Sequence, residues 1–293
     1  MEAVPDHPLD GPADRAEFRR LGTRAGVELY RASIVRHAFD AHRHDGFGLG
    51  CVTHGAQRFR YRGAEHLAPA GALVLMNPGE LHTGRAADAA GWRYRMVYLE
   101  PAVLEAASGV RGWDFAAPVV QDPAAARRLL HWLDQLWRAD AGLAADAALG
   151  ELAALLRPLA RTARAAAEGR RPPDPGETAL ARAVERMHAG LGEPLDLATL
   201  AAAAGLSPFH FQRRFKAAHG VTPHQMLMAL RLAEAQRRLA AGQAPAEVAA
   251  EVGLADQAHL TRRFARMYGV TPARYQQQVG TRPRGRAAPT LRG

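Results

Sequence analysis

Val252-Gly253-Leu254-Ala255-Asp256-Gln257-Ala258-His259-Leu260-Thr261-Arg262-Arg263-Phe264, followed by Gly269-Val270-Thr271-Pro272, is a pattern the chain writes twice. The earlier copy runs Leu200-Ala201, Gly205-Leu206, Phe211-Gln212-Arg213-Arg214-Phe215, then Gly220-Val221-Thr222-Pro223. The offset is 48 residues at the glycine pair and 49 afterwards, so the second copy carries one extra residue in its turn. Each copy predicts a short helix, a turn containing glycine, and a second helix. Gly205 and Gly253 stand where the chain leaves the first helix and a positive φ is expected. Ser207 and Asp256 are suited to cap the next helix, and Ala201 and Ala249 are small where two helices cross.

Helical spacing divides each second helix into two faces. Phe211, Phe215 and Ala218, and in the other copy Leu260, Phe264 and Met267, form an apolar side. Phe209, Gln212, Arg213 and Lys216, and then Ala258, Thr261, Arg262 and Ala265, point the other way. An apolar anchor beneath outward Gln and Arg is what a recognition helix in the DNA major groove requires. Two ordinary hairpins with solvated polar faces share the pattern, but duplication within a basic region argues against that reading. Gln225 to Ala241 reads as one connecting helix with Met226, Leu227, Leu230, Ala233 and Leu239 on its apolar side. At 1.5 Å per residue it spans about 25 Å, a spacer able to set two recognition helices about one DNA turn apart.

Charge follows the same division. Of a formal net charge of +9, residues from Glu177 to the end hold +8, with 16 Lys+Arg against 8 Asp+Glu. A basic module that meets a polyanion, joined to a nearly neutral module, is the reading. From Gly26 to Glu100 short alternations such as Arg58-Phe59-Arg60-Tyr61-Arg62 and Trp92-Arg93-Tyr94-Arg95-Met96, broken by turn signals, predict a small antiparallel barrel or sandwich. From Pro123 the period becomes helical, with Leu129, Leu130, Leu133, Leu136 and Trp137, then Leu149, Leu152, Leu155, Leu156 and Leu159. These helices are expected to pack on the barrel or on a second copy of it. Arg164 to Gly176 reads as a linker, and Gly280 to Gly293 as a disordered tail. One cysteine, Cys51, excludes a disulfide framework within the chain and is expected to be a small buried strand residue. No apolar run reaches the length of a membrane span, and the acidic start lacks a signal-peptide pattern, so a cytoplasmic protein is expected.

Glu177 to Gln278 resembles the DNA-binding domain of the AraC/XylS family of bacterial transcription regulators, most closely over Val252–Phe264 and Tyr268-Gly269-Val270-Thr271-Pro272-Ala273-Arg274-Tyr275. The resemblance implies that Phe209, Gln212 and Arg213, with Lys216 on the same face, meet one groove segment, and Gln257, Thr261 and Arg262 the next. Ala258 stands where relatives can carry a longer polar residue, so the second helix is expected to read fewer bases. More weakly, His37 to Leu99 is similar to the cupin-type sensor domain of many members, through His42-Arg43-His44 and the stretch Gly71 to His82. In metal-binding cupins two histidines, a glutamate and a later histidine hold a divalent ion. Here the glutamate is missing and only Asp45 stands nearby. The expectation is therefore no metal, no cofactor and no catalytic residue. His42, His44 and His82, with Phe59, Tyr61, Trp92 and Tyr94, are expected to line an effector pocket.

The sequence thus predicts an α+β chain: an N-terminal antiparallel cupin-like barrel with packed helices (residues 1–163), a linker (164–176), an all-α double helix-turn-helix domain (177–279) and a tail (280–293). Its expected function is sequence-specific DNA binding in transcription regulation, modulated by a small molecule. The expected partners are double-stranded DNA, the effector, a second copy of the chain and, for an activator, RNA polymerase, with no membrane. The competing reading is a metal-dependent cupin enzyme with an appended nucleic-acid-binding domain.

Overall fold

The computed structural model describes residues 13–22, 24–161 and 175–280. Strands come first: β1 (Arg15–Arg20), β2 (Val27–Ile34), β3 (Phe39–His42), β4 (Phe47–Tyr61), β5 (Ala64–Pro69), β6 (Ala72–Met76), β7 (His82–Ala86) and β8 (Trp92–Leu99), with β9 (Val119–Gln121) following helix α1 (Pro101–Ser108). β4 organises the domain. Its first part pairs with β8 and β6 in a sheet ordered β1-β2-β8-β4-β6-β9, and its far part pairs with β5 and β7, to which β3 adds. Every pairing is antiparallel. β1, α1 and β9 are absent from the sequence reading.

Within β4, Phe59 and Tyr61 turn inward while Arg60 between them stays exposed, as the alternation requires. Ala72–Met76 is instead buried at every residue. It lies between two apolar layers: Val74 and Met76 join Trp92 and Tyr94 on one side, and Leu73 and Leu75 join Leu49 and Val97 on the other. A strand covered on both faces reads as a continuous apolar run. The outer layer is supplied by α2 (Pro123–Arg138) and α3 (Leu143–Leu156). Leu129, Leu133 and Leu136 with Leu149, Leu152 and Leu156 are no more than 3% exposed and pack in the same cluster as the sheet. Each such leucine contributes roughly 1.5–3 kcal/mol of burial. These are the leucines that also suited a dimer surface, and the chain spends them on its own core. Cys51 is fully buried in β4.

The C-terminal part is helical: α4 (Pro175–Ala189), α5 (Leu197–Ala203), α6 (Pro208–His219), α7 (Pro223–Ala240), α8 (Pro245–Glu251), α9 (Gln257–Tyr268) and α10 (Pro272–Val279). Pro175 and Gly176, expected in the linker, open α4. Residues 164–174 of that linker, and 281–293 of the tail, lie outside the described residues. The repeated Gly-Val-Thr-Pro is a helix-to-helix joint. Gly220 and Gly269 end α6 and α9 with φ of +72° and +74°. Thr222 and Thr271 then cap α7 and α10, each with proline at the start of the helix.

The two parts are packed together. α10 lies on β1, and α7 and α9 lie on β3. One apolar cluster runs from the sheet interior (Phe18, Tyr30, Phe39, Trp92) into the second helix-turn-helix (Leu260, Phe264, Tyr268, Tyr275). Polar bonds lock the same joint. The Phe18 amide donates to Gln278 Oε1 at 2.9 Å, Gln236 donates to Glu28 at 3.0 Å, and Tyr275 donates its hydroxyl to Glu28 at 2.5 Å. Arg266 pairs with Asp40 at 3.4 Å. The N-terminal domain is thus docked directly on the helical domain. No helix among the described residues is long and apolar enough to cross a membrane.

Candidate functional site

The site has two parts, an outward helical face and a mouth where the domains meet. On α6, Ser207 accepts from the His210 amide, and Phe211 and Phe215 are fully buried. That fixes the helix and presents Phe209, 71% exposed, with Gln212, Arg213 and Lys216 also exposed. Ala218, expected on the buried side, is exposed, because the apolar stripe ends at Phe215. On α9, Asp256 accepts from the His259 amide at 2.6 Å, and Leu260 and Phe264 are the buried anchors. Gln257, Ala258 and Arg262 are exposed and Thr261 is half-buried. Ala265, expected to face outward like Lys216, is buried at 7% exposure. The reason is the joint: the C-terminal end of α9 lies against the sensor domain, and Met267, Tyr268 and Val270 are buried with it. Arg214 is exposed beside Arg213 and was not singled out. Its signal was adjacency on an outward arc of the helix.

The cations of the molecule stand in two kinds of surroundings, and Arg186, Arg237 and Arg238 of the helical domain are ion-paired. In the N-terminal domain Arg19, Arg31, Arg43, Arg58, Arg62 and Arg95 each meet a carboxylate. On α6 and α9, Arg213, Arg214, Lys216 and Arg262 have no ion pair among the described residues. Unpaired cations on a capped, outward helix are what a phosphate backbone and guanine edges would meet.

At the mouth, β3 and β7 pair with His42 opposite His82. His42 and His82 are therefore neighbours on adjacent strands, not partners across a barrel. Their rings are 4.2 Å apart, and His44, just past the end of β3, is 5.1 Å from the first and 5.3 Å from the second. The three offer nitrogens that all lie within 4.8 Å of one another, and they are the group that could hold a metal. Asp45 stays outside: its carboxylate is exposed and paired with Arg43 at 3.1 Å. Burial pushes the His42 imidazole down to about 4 and holds His44 and His82 well below the usual histidine range, so all three are neutral.

The aromatic candidates divide. Phe59, Tyr61 and Trp92 are each 1% exposed inside the sheets. The Tyr61 hydroxyl accepts from the Asn77 amide at 3.0 Å, which ties it to the loop and not to a cavity. Trp92 stacks on Tyr94 at 5.7 Å. Open volume lies in a cleft of about 450 Å³ over β1, β2 and β8, lined by Arg31, Tyr94 and Arg274 among others, and in two clefts between the domains. One cleft of about 300 Å³ is walled by Phe39, Tyr61, Arg62 and His82 on one side and by His219, Val221 and Gln225 on the other. A smaller one of about 110 Å³ is lined by Arg20, Glu28, His44, Tyr98, Arg237 and Tyr275. Neither first-copy residues such as His219 nor the half-buried Glu28 was expected here. Glu28 stands at a strand position whose neighbours alternate, and the docked domain supplies its hydrogen-bond partners, Gln236 and Tyr275, beside Arg20 of β1.

Two family models match this chain: an AraC-like ligand binding domain over residues 24–157 and a helix-turn-helix domain over residues 200–278. The HTH-type transcriptional regulator YbfI of Bacillus subtilis is 25% identical over 82% of this chain and 88% of its own length. The MmsAB operon regulatory protein of Pseudomonas aeruginosa is 38% identical over 32% of this chain and 30% of its own. Among solved structures, apo ToxT from Vibrio cholerae superposes with a TM-score of 0.54 at 9% identity, over 88% of this chain and 99% of that one. ToxT with a bound unsaturated fatty acid gives 0.51 at 8% identity, over 94% and 98%. These two show a shared fold.

Proposed function

The chain belongs to the AraC family of transcription regulators, and from that premise we propose that it reads specific double-stranded DNA sites with α6 and α9 under the control of a small molecule held at the mouth of its N-terminal domain. The observation that carries the reading is the set of unpaired cations, Arg213, Lys216 and Arg262, on two helices whose opposite faces are anchored by Phe211, Phe215, Leu260 and Phe264. Phe209, Gln212 and Arg213 would contact one groove segment, and Gln257, Thr261 and Arg262 the next. α7, with 18 residues, spans about 27 Å and is the rigid element that sets their spacing. The effector site is assigned to the joint and not to the sheet interior, because Phe59, Tyr61 and Trp92 fill that interior while the clefts open beside His82 and His44. A solved neighbour was crystallised with a fatty acid, which supports small-molecule control of this fold. The working units are a sensor up to residue 163 and a DNA-binding domain from 177 to 279, with α4 reaching back to Pro175. The reading includes a second copy of the chain and, for an activator, RNA polymerase. It places the protein in the cytoplasm and assigns it no catalysis.

Footprinting of the full chain on the promoter nearest its gene tests this. Arg213→Ala and Arg262→Ala should each cost roughly 1–3 kcal/mol on the protected site and relax one base position. Affinity should also fall steeply with salt. Equal weakening on every sequence would reassign the arginines to phosphates, and a shallow salt dependence would remove DNA as the partner.

A further inference from the structure

We propose that the open end of the sheet face over β1, β2 and β8, together with Arg274 of α10, binds a small multiply charged oxyanion, a molecule carrying two or more phosphate or carboxylate groups, and that this anion strengthens the joint between the two domains. The site lies apart from the clefts beside His44 and His82 and does not depend on the effector placed there.

The argument starts from strand register. Residues opposite one another on neighbouring strands share a face, as do residues two apart on one strand. Leu29 of β2 faces Val97 of β8, and both are buried in the cluster that α2 and α3 complete. Two residues on, Glu17, Arg31 and Arg95 stand side by side across β1, β2 and β8. Arg31 pairs with Glu17 at 2.7 Å and lies over the Trp137 ring at 4.2 Å, and Arg95 pairs with Asp134. Both cations of this row are therefore answered by carboxylates. Two residues further, Arg15, Ser33 and Arg93 are aligned. Arg15 and Arg93 are exposed and have no ion pair among the described residues. They stand one strand on either side of Ser33, about 10 Å apart at the backbone.

The space between them belongs to the cleft of about 450 Å³. Arg274, exposed in the first turn of α10, reaches the same cleft from beyond β1 and is likewise without an ion pair among the described residues. The lining side chains bring five guanidiniums, those of Arg15, Arg31, Arg93, Arg95 and Arg274, against the single carboxylate of Glu17. Half-buried Ser33 adds a hydroxyl at the floor. A guanidinium presents its donors as a planar fork that matches a carboxylate or a phosphate two bonds at a time. Three uncommitted forks around one recess select a ligand with oxyanions at more than one end, since a single charge leaves a fork empty. The walls come from β1, β2, β8 and α10, so the recess suits a compact ligand and not the convex surface of a duplex.

The cleft also crosses the joint. Gln278 near the end of α10 is tied to the sheet by the Phe18 amide, and Tyr275 by its bond to Glu28. Arg274 has no such tie. An anion held by Arg15 and Arg93 on the sheet and by Arg274 on the helix fastens the first turn of α10 as well. A ligand that binds only the docked arrangement stabilises it by mass action.

The test titrates the full chain, in phosphate-free buffer at low salt, with inorganic pyrophosphate, with citrate and with acetate, read by calorimetry. Pyrophosphate or citrate should bind at one per chain, raise the melting temperature and slow amide exchange in α10, and acetate should do none of these. Tighter binding of pyrophosphate marks the ligand as a phosphate compound, and tighter binding of citrate as a carboxylate. Arg15→Ala, Arg93→Ala and Arg274→Ala, all at exposed positions, should each weaken binding about tenfold or more. Arg127→Ala, exposed on α2, should leave it unchanged. Arg93→Lys keeps the charge and loses the fork, so it should also weaken binding. Failure of both pyrophosphate and citrate to bind at one per chain overturns the site. Equal binding by Arg93→Lys, or an equal loss in Arg127→Ala, reduces the cleft to diffuse charge and overturns it too. If neither small anion binds, and Arg15→Ala and Arg93→Ala instead lose affinity for duplex DNA of any sequence, the face belongs to the DNA backbone. An anion bound with unchanged exchange in α10 overturns the link to the joint.

Discussion

The two helix-turn-helix copies share their caps, turns and anchors, yet they stand in different surroundings. In the first, Gln212, Arg213, Lys216 and Ala218 of α6 are all exposed. In the second, the residues 49 positions on from Lys216 and Ala218, which are Ala265 and Met267, are buried at 7% and 3% exposure beneath the sensor domain. Half-buried His219 is answered by Tyr268, at 2%. The repeat encodes the hairpin, and its departures encode the docking. At Ala265, Met267 and Tyr268 the second copy replaces Lys216, Ala218 and His219 of the first, and these positions lie at the end of the helix that rests on the N-terminal domain. The outward face of α6 stands clear of the N-terminal domain, whereas the end of α9 rests on it.

The largest test of that contrast is a matched pair of anchors. Phe211 and Phe264 are both fully buried, so Phe211→Ala and Phe264→Ala should each cost about 3–5 kcal/mol in chemical denaturation. Phe211 belongs to the cluster built from α4 to α7, on which the N-terminal domain places half-buried Leu81, and Phe264 to the cluster that continues into the sheet. Phe264→Ala should therefore also raise the amide exchange of β1 and β3, and Phe211→Ala should not. Equal effects on the strands would mean that both copies are docked alike.

A second test acts on the joint through one carboxyl. Glu28 sits on β2 between the Tyr275 hydroxyl of α10, the Gln236 amide of α7, Arg20 of β1 at 3.8 Å, and the Tyr98 phenol of β8. Burial pushes it up from 4.5 to about 7, against the opposing pull of Tyr275 and Arg20. The docked carboxyl holds its proton more tightly than the exposed one. Docking is therefore fully favoured below about 4.5, and the contribution is lost as pH rises through about 7. It amounts to about 1–3 kcal/mol. Protection of α10 amides should fall between pH 5 and pH 8 in the wild type, and Glu28→Gln should remove that dependence. The first copy has Met226 where Tyr275 stands, so protection of α7's first turn should not change over the same range.

Much of this was legible in the sequence because the governing physics is local. Gly205 and Gly253 take φ of +66° and +72°, and Ser207 and Asp256 cap the helices they precede. Turn strain and orphan amides depend on a few neighbouring residues. The alternation at Phe59 and Tyr61 and the leucine spacing of α2 and α3 likewise report which face is covered. They do not report by what. Periodicity could not tell that Leu133 and Leu152 pack on the chain's own sheet, or that Ala265 turns inward. Both outcomes depend on where a second domain lies. The three histidines were legible as a set, but their meeting on neighbouring strands follows from the β3–β7 register, which a four-residue strand does not announce. Glu28 was invisible for the same reason, since its hydrogen-bond partners, Gln236 and Tyr275, are more than 200 residues away.

The smallest effect separates the copies at their caps. Ser207 is a neutral cap whose hydroxyl is 3.4 Å from the His210 amide and 2.9 Å from its ring. Asp256 is a charged cap only 2.6 Å from the His259 amide. A charge-assisted bond at the positive end of a helix is the stronger of the two. Ser207→Ala should cost about 0.5–1 kcal/mol of stability and Asp256→Ala about 1–2 kcal/mol. Asp256 also places a negative charge beside Gln257, on the end of α9 proposed to enter the groove. Asp256→Asn keeps the cap and removes that charge. It should leave the melting temperature nearly unchanged and tighten DNA binding at low salt by about 0.3–1 kcal/mol, a gain that added salt erases. Ser207 carries no charge, so its replacement by Asn should give no such gain. If Asp256→Asn weakens binding at every salt concentration, the carboxylate is itself a base contact, and the second helix reads more of the site than Ala258 allows.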